Sequence, residues 1–176
     1  MFRALAALAL ASTSAAPTAT LTSSVPWWER VTVTVSDDGN TQSCRYETSL
    51  KPKDATSCDV VGDERALAKN AGSGAKDQYT RITFERRFSP GKPDVTALQP
   101  GEVLLGGQTM ALAIDPKGEV KNCKVVQRSG TLPPQYGCSE ASTERFEAKA
   151  GDPHAVAPDR EGYMTILVYG HSEHVV

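Results

Sequence analysis

The chain has 176 residues, enough for one medium-sized domain or two small ones. Its 19 Lys and Arg residues against 21 Asp and Glu residues give a net charge of −2, which argues against nucleic acid as a partner. Charged residues make up 23% of the chain, close to the average for globular proteins, and argue against wholesale disorder. No stretch reaches the roughly 18 apolar residues that a membrane-spanning helix needs.

The N-terminus has the three-part pattern of a secretory signal peptide. One positive charge precedes positions 4–11, which are an unbroken run of Ala and Leu, and small residues follow. Cleavage is expected near Ala15 or Ala16. The sequence therefore predicts a signal peptide over 1–16, a periplasmic or secreted location, and no transmembrane segment after cleavage.

Export changes the interpretation of the four cysteines, Cys44, Cys58, Cys123 and Cys138. An even number of cysteines in an oxidising compartment predicts disulfides, and no Cys-x-x-Cys motif suggests a metal or redox site. Four cysteines allow three pairings. Their spacings of 14 and 15 residues favour Cys44–Cys58 and Cys123–Cys138.

The chain repeats itself at an offset of 79 residues. Val31–Arg45 aligns without a gap with Met110–Lys124. Few positions are identical, but the order of shared features favours an internal duplication. The other matches are Gly39 with Gly118, Cys44 with Cys123, Cys58 with Cys138, and Tyr79–Phe84 with Tyr163–Val168.

Each repeat begins with a predicted β-hairpin. Val31, Val33 and Val35 alternate with Thr, which predicts a half-buried strand. The segment 37–40 and its counterpart Asp115–Gly118 have the composition of tight turns. The remaining predicted elements are helices over Asp63–Asn70 and Ser139–Lys149, closing strands over Tyr79–Arg87 and Tyr163–Tyr169, and a brief strand over Val103–Leu105.

The predicted fold class is α+β, with two tandem small modules. Each module has an antiparallel hairpin, a short helix, a closing third strand and one disulfide. Units of this size bury little apolar surface, and a disulfide closing a loop of about 15 residues adds roughly 3 kcal/mol. The predicted organisation is a signal peptide over 1–16, a first module over 17–88, a Pro- and Gly-rich connection over 89–107, and a second module over 108–176.

The second module resembles a known family. Ala111–Gly130 runs from an apolar strand through an Asp-x-x-Gly turn into a second strand ending in Ser-Gly, and Arg145-Phe146 and Gly162-Tyr163 follow. This order resembles the C-terminal domain of TonB-type energy transducers over about residues 108–170. Cys123 and Cys138 resemble the cysteines of a disulfide-bearing subset of that family. The first module would be a more diverged copy.

The resemblance implies a binding mode. TonB transducers carry a membrane-spanning helix and a long Pro-rich spacer, which are not found here, so we expect binding rather than energy transduction. In that mode an edge strand pairs with an extended peptide through main-chain hydrogen bonds. The expected strand carries Tyr163, Thr165, Leu167 and Tyr169, and the expected partner is an envelope protein or peptide segment.

The predicted function is therefore an exported, periplasmic, non-enzymatic protein-binding protein. The alternative is a secreted enzyme inhibitor or an envelope stress factor that acts through loops such as Thr131–Gly137. No nucleophile elbow, phosphate-binding loop or Rossmann glycine pattern is found, so we predict no catalytic residues and no cofactor. A further class, an enzyme with an unrecognised site, would depend on His154.

Several polar and aromatic residues have ordinary structural explanations. His171 and His174 supply two of the three or four ligands that a metal needs, so no metal site is predicted. Asp37, Asp38 and Asp115 fit turns. One ring of the Trp27-Trp28 pair is expected in the core and the other over a sheet face, although a stacking platform is the alternative. Arg81, Arg86 and Arg87 are expected to protect a strand edge against aggregation.

Overall fold

A computed structural model describes residues 20–35, 41–50, 56–57, 81–93, 97–149 and 157–171. The predicted signal peptide, the 37–40 turn and the 63–70 helix lie outside these residues. The described elements are β1 (Trp27–Val35), β2 (Thr41–Thr48), β3 (Thr56–Ser57), β4 (Arg81–Pro90), β5 (Glu102–Ile114), β6 (Val120–Gly130), α1 (Cys138–Ala141) and β7 (Arg160–His171).

All seven described strands belong to one antiparallel sheet, in the order β3-β2-β1-β4-β7-β5-β6. The two halves of the chain meet where β4 pairs with β7 over ten residues, from Arg81 opposite His171 to Pro90 opposite Gly162. The prediction of an α+β fold with two tandem modules is therefore wrong. The protein is a mostly β structure in which both halves share one sheet.

The strands of the two halves are longer than the sequence pattern indicated. β4 continues through Pro90, and β5 begins at Glu102 and runs for 13 residues. The predicted connection over 89–107 therefore gives several residues to strands, and the brief strand over Val103–Leu105 is the beginning of β5. A positive φ at Gly101 and at Gly91 marks each end of the shorter connection.

The hydrophobic core lies on one face of the sheet, which we call the core face. Along each central strand alternate side chains point to it, as a strand period of two requires. Trp27 stacks on Phe88 with ring centroids 5.7 Å apart, and Phe88 contacts Phe146 at 5.1 Å. The buried core residues are Leu21, Trp27, Val31, Val33, Ile82, Phe84, Phe88, Met110, Leu112, Ile114, Tyr136, Ala141, Phe146, Met164, Ile166 and Val168.

The helix predicted over Ser139–Lys149 is a single turn, α1, followed by extended chain. The hydroxyl of Ser142 donates to the carbonyl of Cys138, and that of Thr143 donates to the carbonyl of Glu140. Such side-chain bonds compete with a continuing helix. Beyond them, the main chain of Phe146 bonds to Gly118 instead of to a helical neighbour.

The β5–β6 hairpin turns as predicted at Asp115–Gly118. The N–H of Gly118 donates to the carbonyl of Asp115, and the N–H of Asp115 donates to the carbonyl of Glu119, both at 2.9 Å. A carboxylate oxygen of Asp115 also accepts from the N–H groups of Lys117 and Glu119, at 2.9 and 2.8 Å. Gly118 has φ of 86°, which matches the left-handed residue of a three-residue hairpin loop.

Replacing Gly118 by Ala should destabilise the fold by about 2–4 kcal/mol, because left-handed strain adds to overpacking. The new Cβ would lie 1.9 Å from the carbonyl oxygen of Phe146. Gly91→Ala is the matched control, since Gly91 has φ of 78° but nothing within 4 Å of a new Cβ. It should cost only about 1–2 kcal/mol. Denaturant titration measures both losses, and equal losses would show that the contact with Phe146 is irrelevant.

Candidate functional site

The strand expected to bind a peptide is in the interior of the sheet. β7 pairs with β4 on one side and with β5 on the other, so both edges of its main chain are occupied. The hydroxyls of Thr165 and Thr109 lie 3.2 Å apart across the β5–β7 pair, and the hydroxyl of Tyr169 donates to Glu85 at 2.7 Å. The prediction that Tyr163, Thr165, Leu167 and Tyr169 form an edge strand is therefore wrong.

The sheet has its long edge at β6. This strand has 11 residues and pairs with β5 on one side, and no described strand lies on its other side. At the opposite end of the sheet the outermost described strand is β3, which has two residues. β6 is therefore the candidate site for strand pairing.

Hydrogen bonds at both ends of the hairpin determine which groups of β6 face outward. The N–H of Asp115 donates to Glu119 at the turn, and the N–H of Thr131 donates to Leu105 at the far end. Inward and outward residues alternate in an antiparallel ladder, apart from its irregularities. This alternation places the N–H and C=O groups of Cys123, Val125 and Arg128 on the outer edge of the sheet.

The register of β6 against β5 skips Lys121 and Val126, which are extra residues at two irregularities of the ladder. Val126 is 49% exposed. Such bulges twist an edge and limit its uncontrolled pairing. Between the two extra residues, Asn122–Val125 forms a regular stretch that a partner strand can follow.

The charges on β6 are all positive, with Lys121, Lys124 and Arg128 and no carboxylate. Lys121 lies 2.6 Å from Glu119 and 3.3 Å from Asp115. These contacts and neighbouring N–H groups act on both carboxyls: the pKa of Asp115 is lowered first by the N–H of Glu119, and that of Glu119 by Lys121. Lys124 and Arg128 are exposed and have no ion-pair partner among the described residues.

The predicted disulfide between Cys123 and Cys138 is confirmed, with Cα atoms 5.5 Å apart. It joins the middle of β6 to the first residue of α1. The carboxylate of Glu140 accepts from the N–H of Gly137 at 2.7 Å and so caps the same turn. The edge strand is therefore covalently attached to the segment that covers the core face.

A buried ionic cluster holds that segment against the sheet. Arg86 lies 2.5 Å from Glu29 and also pairs with Glu144, and the side chains of the first two are 10% and 12% exposed. The hydroxyl of Tyr46 donates to Glu29, and that of Tyr136 donates to Glu144, both at 2.8 Å. Burial opposes the charge of Arg86, but Glu29 and Glu144 outweigh it and raise the Arg86 pKa above its usual range.

This cluster was not predicted from the sequence. Arg86 was expected to protect a strand edge, but β4 is interior and Arg86 is buried, so that prediction is wrong. The period-two pattern of β4 contained the signal, because Arg86 occupies the same face as Ile82, Phe84 and Phe88. An arginine in a buried series requires carboxylate partners, but nothing in the spacing identified Glu29 or Glu144.

The tryptophans and Asp115 agree with their structural interpretations. Trp27 is 3% exposed in the core, and Trp28 points to the other face, where the guanidinium of Arg30 lies 4.1 Å from its ring centroid. Asp115 serves the turn. Cys44 is disulfide-bonded. Five residues singled out from the sequence lie outside the described part of the chain: Cys58, Asp37, Asp38, His154 and His174. Among the described residues, no group of three or more His, Cys, Asp or Glu residues could hold a metal.

Comparisons with family models, with curated proteins and with solved structures gave no match to this chain. The resemblance to the TonB C-terminal domain therefore stays a prediction.

Replacing Arg86 by Met should cost about 3 kcal/mol of stability, because it leaves Glu29 and Glu144 largely buried without their cation. Arg45→Met is the matched control, since the Arg45 side chain is 64% exposed and only pairs with Glu47 at 3.3 Å. That loss should stay below about 1 kcal/mol. Urea titration compares the two variants, and a loss below about 1 kcal/mol for Arg86→Met would contradict the role of the cluster.

Stability should also fall in alkali. Burial first, and then the nearby charge of Glu29, raise the pKa of Tyr46 to about 12 from its ordinary value of 10.0. Because the folded-state pKa is the higher one, the stabilisation is complete below pH 10 and is lost as the pH rises towards about 12. Unfolding free energies measured from pH 8 to 12 should fall less steeply for Tyr46→Phe. Identical slopes for the two proteins would contradict this assignment.

Proposed function

We propose that the protein is an exported, non-enzymatic protein-binding protein that takes up an extended segment of an envelope protein along the outer edge of β6. The observation that carries the proposal is the position of β6, an 11-residue strand at the end of the sheet as the described residues form it. Its outward N–H and C=O groups at Cys123, Val125 and Arg128 form a template for an additional antiparallel strand.

In this binding mode, side chains rather than main-chain hydrogen bonds select the partner. Three outward residues offer about six main-chain hydrogen bonds, each worth roughly 1 kcal/mol net. Ordering about six residues of a flexible segment costs roughly 1–2 kcal/mol per residue. The main chain alone therefore gives little net affinity, and the partner must be selected by the side chains beside β6.

Two features support an exported location, periplasmic or secreted. The N-terminal residues have the pattern of a signal peptide, and the Cys123–Cys138 disulfide suits an oxidising compartment. The described residues contain no helix with the length and hydropathy of a membrane-spanning segment.

The strand order supports the proposed duplication. β1 lies between β2 and β4, and β5 lies between β6 and β7 in the same relation. If Val31 corresponds to Met110, then their partners on the third strands, Phe84 and Met164, also correspond. The third strands then align at an offset of 80, four residues away from the alignment that the Tyr-led pattern suggested.

Strand addition predicts that a proline at Val125 weakens peptide binding about fivefold or more while the fold is retained. Proline removes one outward N–H group, and an edge strand tolerates this loss. Val125→Ala is the matched control, because it trims the same side chain and keeps the N–H group. Each protein is titrated with a peptide selected on the wild type from a random twelve-residue display library, and the amide hydrogen exchange is followed by NMR.

In the wild type, the bound peptide should slow the exchange of the Cys123, Val125 and Arg128 amides. Lys124→Pro provides a second control. The main-chain N–H group of Lys124 faces β5, so a proline at this position should disrupt the sheet itself. The proposal fails if peptides bind without slowing these amides, or if Val125→Pro and Val125→Ala bind the peptide equally well.

A further inference from the structure

The unneutralised charge of the outer edge is confined to two side chains. Lys121 is engaged by Glu119 and Asp115 at the turn. Lys124 and Arg128 are exposed, and no carboxylate pairs with either within the described part of the chain. Because β6 has no acidic residue of its own, a carboxylate that reaches these cations has to come from another segment.

These two cations belong to opposite faces of the sheet. Lys124 is paired with Ala111 and Arg128 with Gln108. Ala111 and Gln108 are three residues apart on β5, and odd separations along a strand place side chains on opposite faces. Gln108 is buried on the core face, where it donates to the carbonyl of Tyr136 at 2.5 Å. Arg128 therefore leaves the strand on the core-face side, and Lys124 on the other side.

The extra residue at Val126 determines how far apart the residues opposite Lys124 and Arg128 lie on a regular partner strand. Four residues separate Lys124 from Arg128 in sequence, but the ladder omits Val126. On a partner strand without a bulge, the residue opposite Lys124 and the residue opposite Arg128 are therefore three positions apart. Residues three apart on that partner also point to opposite faces, as the two cations do.

We infer, on the basis of the strand addition proposed above, that β6 selects extended segments with two carboxylates three positions apart, in the pattern acid-x-x-acid. One carboxylate meets Arg128 on the core-face side, and the other meets Lys124 on the opposite side. Carboxylates two positions apart would both point to one face, so that only one of them could reach a cation. Opposite charges placed directly across a strand pair stabilise it.

The same charges disfavour a second copy of this chain as the occupant. An antiparallel β6–β6 pair centred on Lys124 or on Arg128 would place that cation opposite its own copy. Since β6 carries three cations and no carboxylate, other registers set cations against cations or against neutral residues. Like charges directly opposite each other destabilise a strand pair. The occupant that fits is therefore an acidic segment.

Two peptides of identical composition test the spacing. The first is blocked Thr-Thr-Glu-Thr-Val-Glu-Thr-Thr, and the second is blocked Thr-Thr-Glu-Val-Glu-Thr-Thr-Thr. We expect the first to bind the oxidised protein roughly two- to fivefold more tightly, because two ion pairs form instead of one. Lys124→Gln with Arg128→Gln should remove the difference. Affinity is read from NMR titration, together with the exchange of the Cys123, Val125 and Arg128 amides.

The outcomes separate this inference from the function on which it rests. If both peptides slow the three amides and bind equally, the spacing rule is overturned and strand addition stands. If the first peptide keeps its advantage in the double glutamine variant, the assignment to Lys124 and Arg128 is overturned. If neither peptide slows these amides, both the rule and the strand addition at β6 fail.

Discussion

The antiparallel pairing of β4 with β7 determines the architecture. These ten residue pairs join the two halves into one sheet and place Phe84 opposite Val168 and Phe88 opposite Met164 in a shared core. The pairing also occupies the free sides of both closing strands. Each half then keeps its hairpin on the outside, which leaves β6 at one end of the sheet. The location of the candidate site follows from the pairing at the centre.

The covering layer depends on a few long-range anchors rather than on regular structure. α1 is a single turn and has little stability of its own. Its position is held by the Cys123–Cys138 disulfide and by the contacts of Glu144 and Tyr136 with Arg86. Arg160 adds a third anchor, because it bonds to Ser23 and to the carbonyl of Glu147. Polar anchors of this kind fix a segment that could not bury enough apolar surface by itself.

Turns and the alternation of buried side chains could be predicted from the sequence, but the order of the strands in the sheet could not. The Asp115–Gly118 turn depends on four consecutive residues, and the alternation at Val31 and Val33 indicates which side chains are buried. Alternation along β7, however, does not show which strands flank it, so its interior position could not be read from Tyr163–Tyr169. The Arg86 cluster joins residues 57 and 58 positions apart in the chain, beyond the reach of any periodicity. The helix after Cys138 is shorter than predicted because the hydroxyls of Ser142 and Thr143 donate to carbonyls of its single turn.

Cations and bulges on an edge strand have a protective effect, and in β6 protection and recognition have the same physical basis. Lys124 and Arg128 repel a second β6, and the extra residue at Val126 interrupts a flat template. Neither effect excludes a partner strand with carboxylates opposite Lys124 and Arg128. Its carboxylates are attracted by the two cations, and a regular strand can pair on both sides of the bulge. An edge protected in this way excludes most extended segments and its own copies. It remains open to the small set of sequences whose charges complement it.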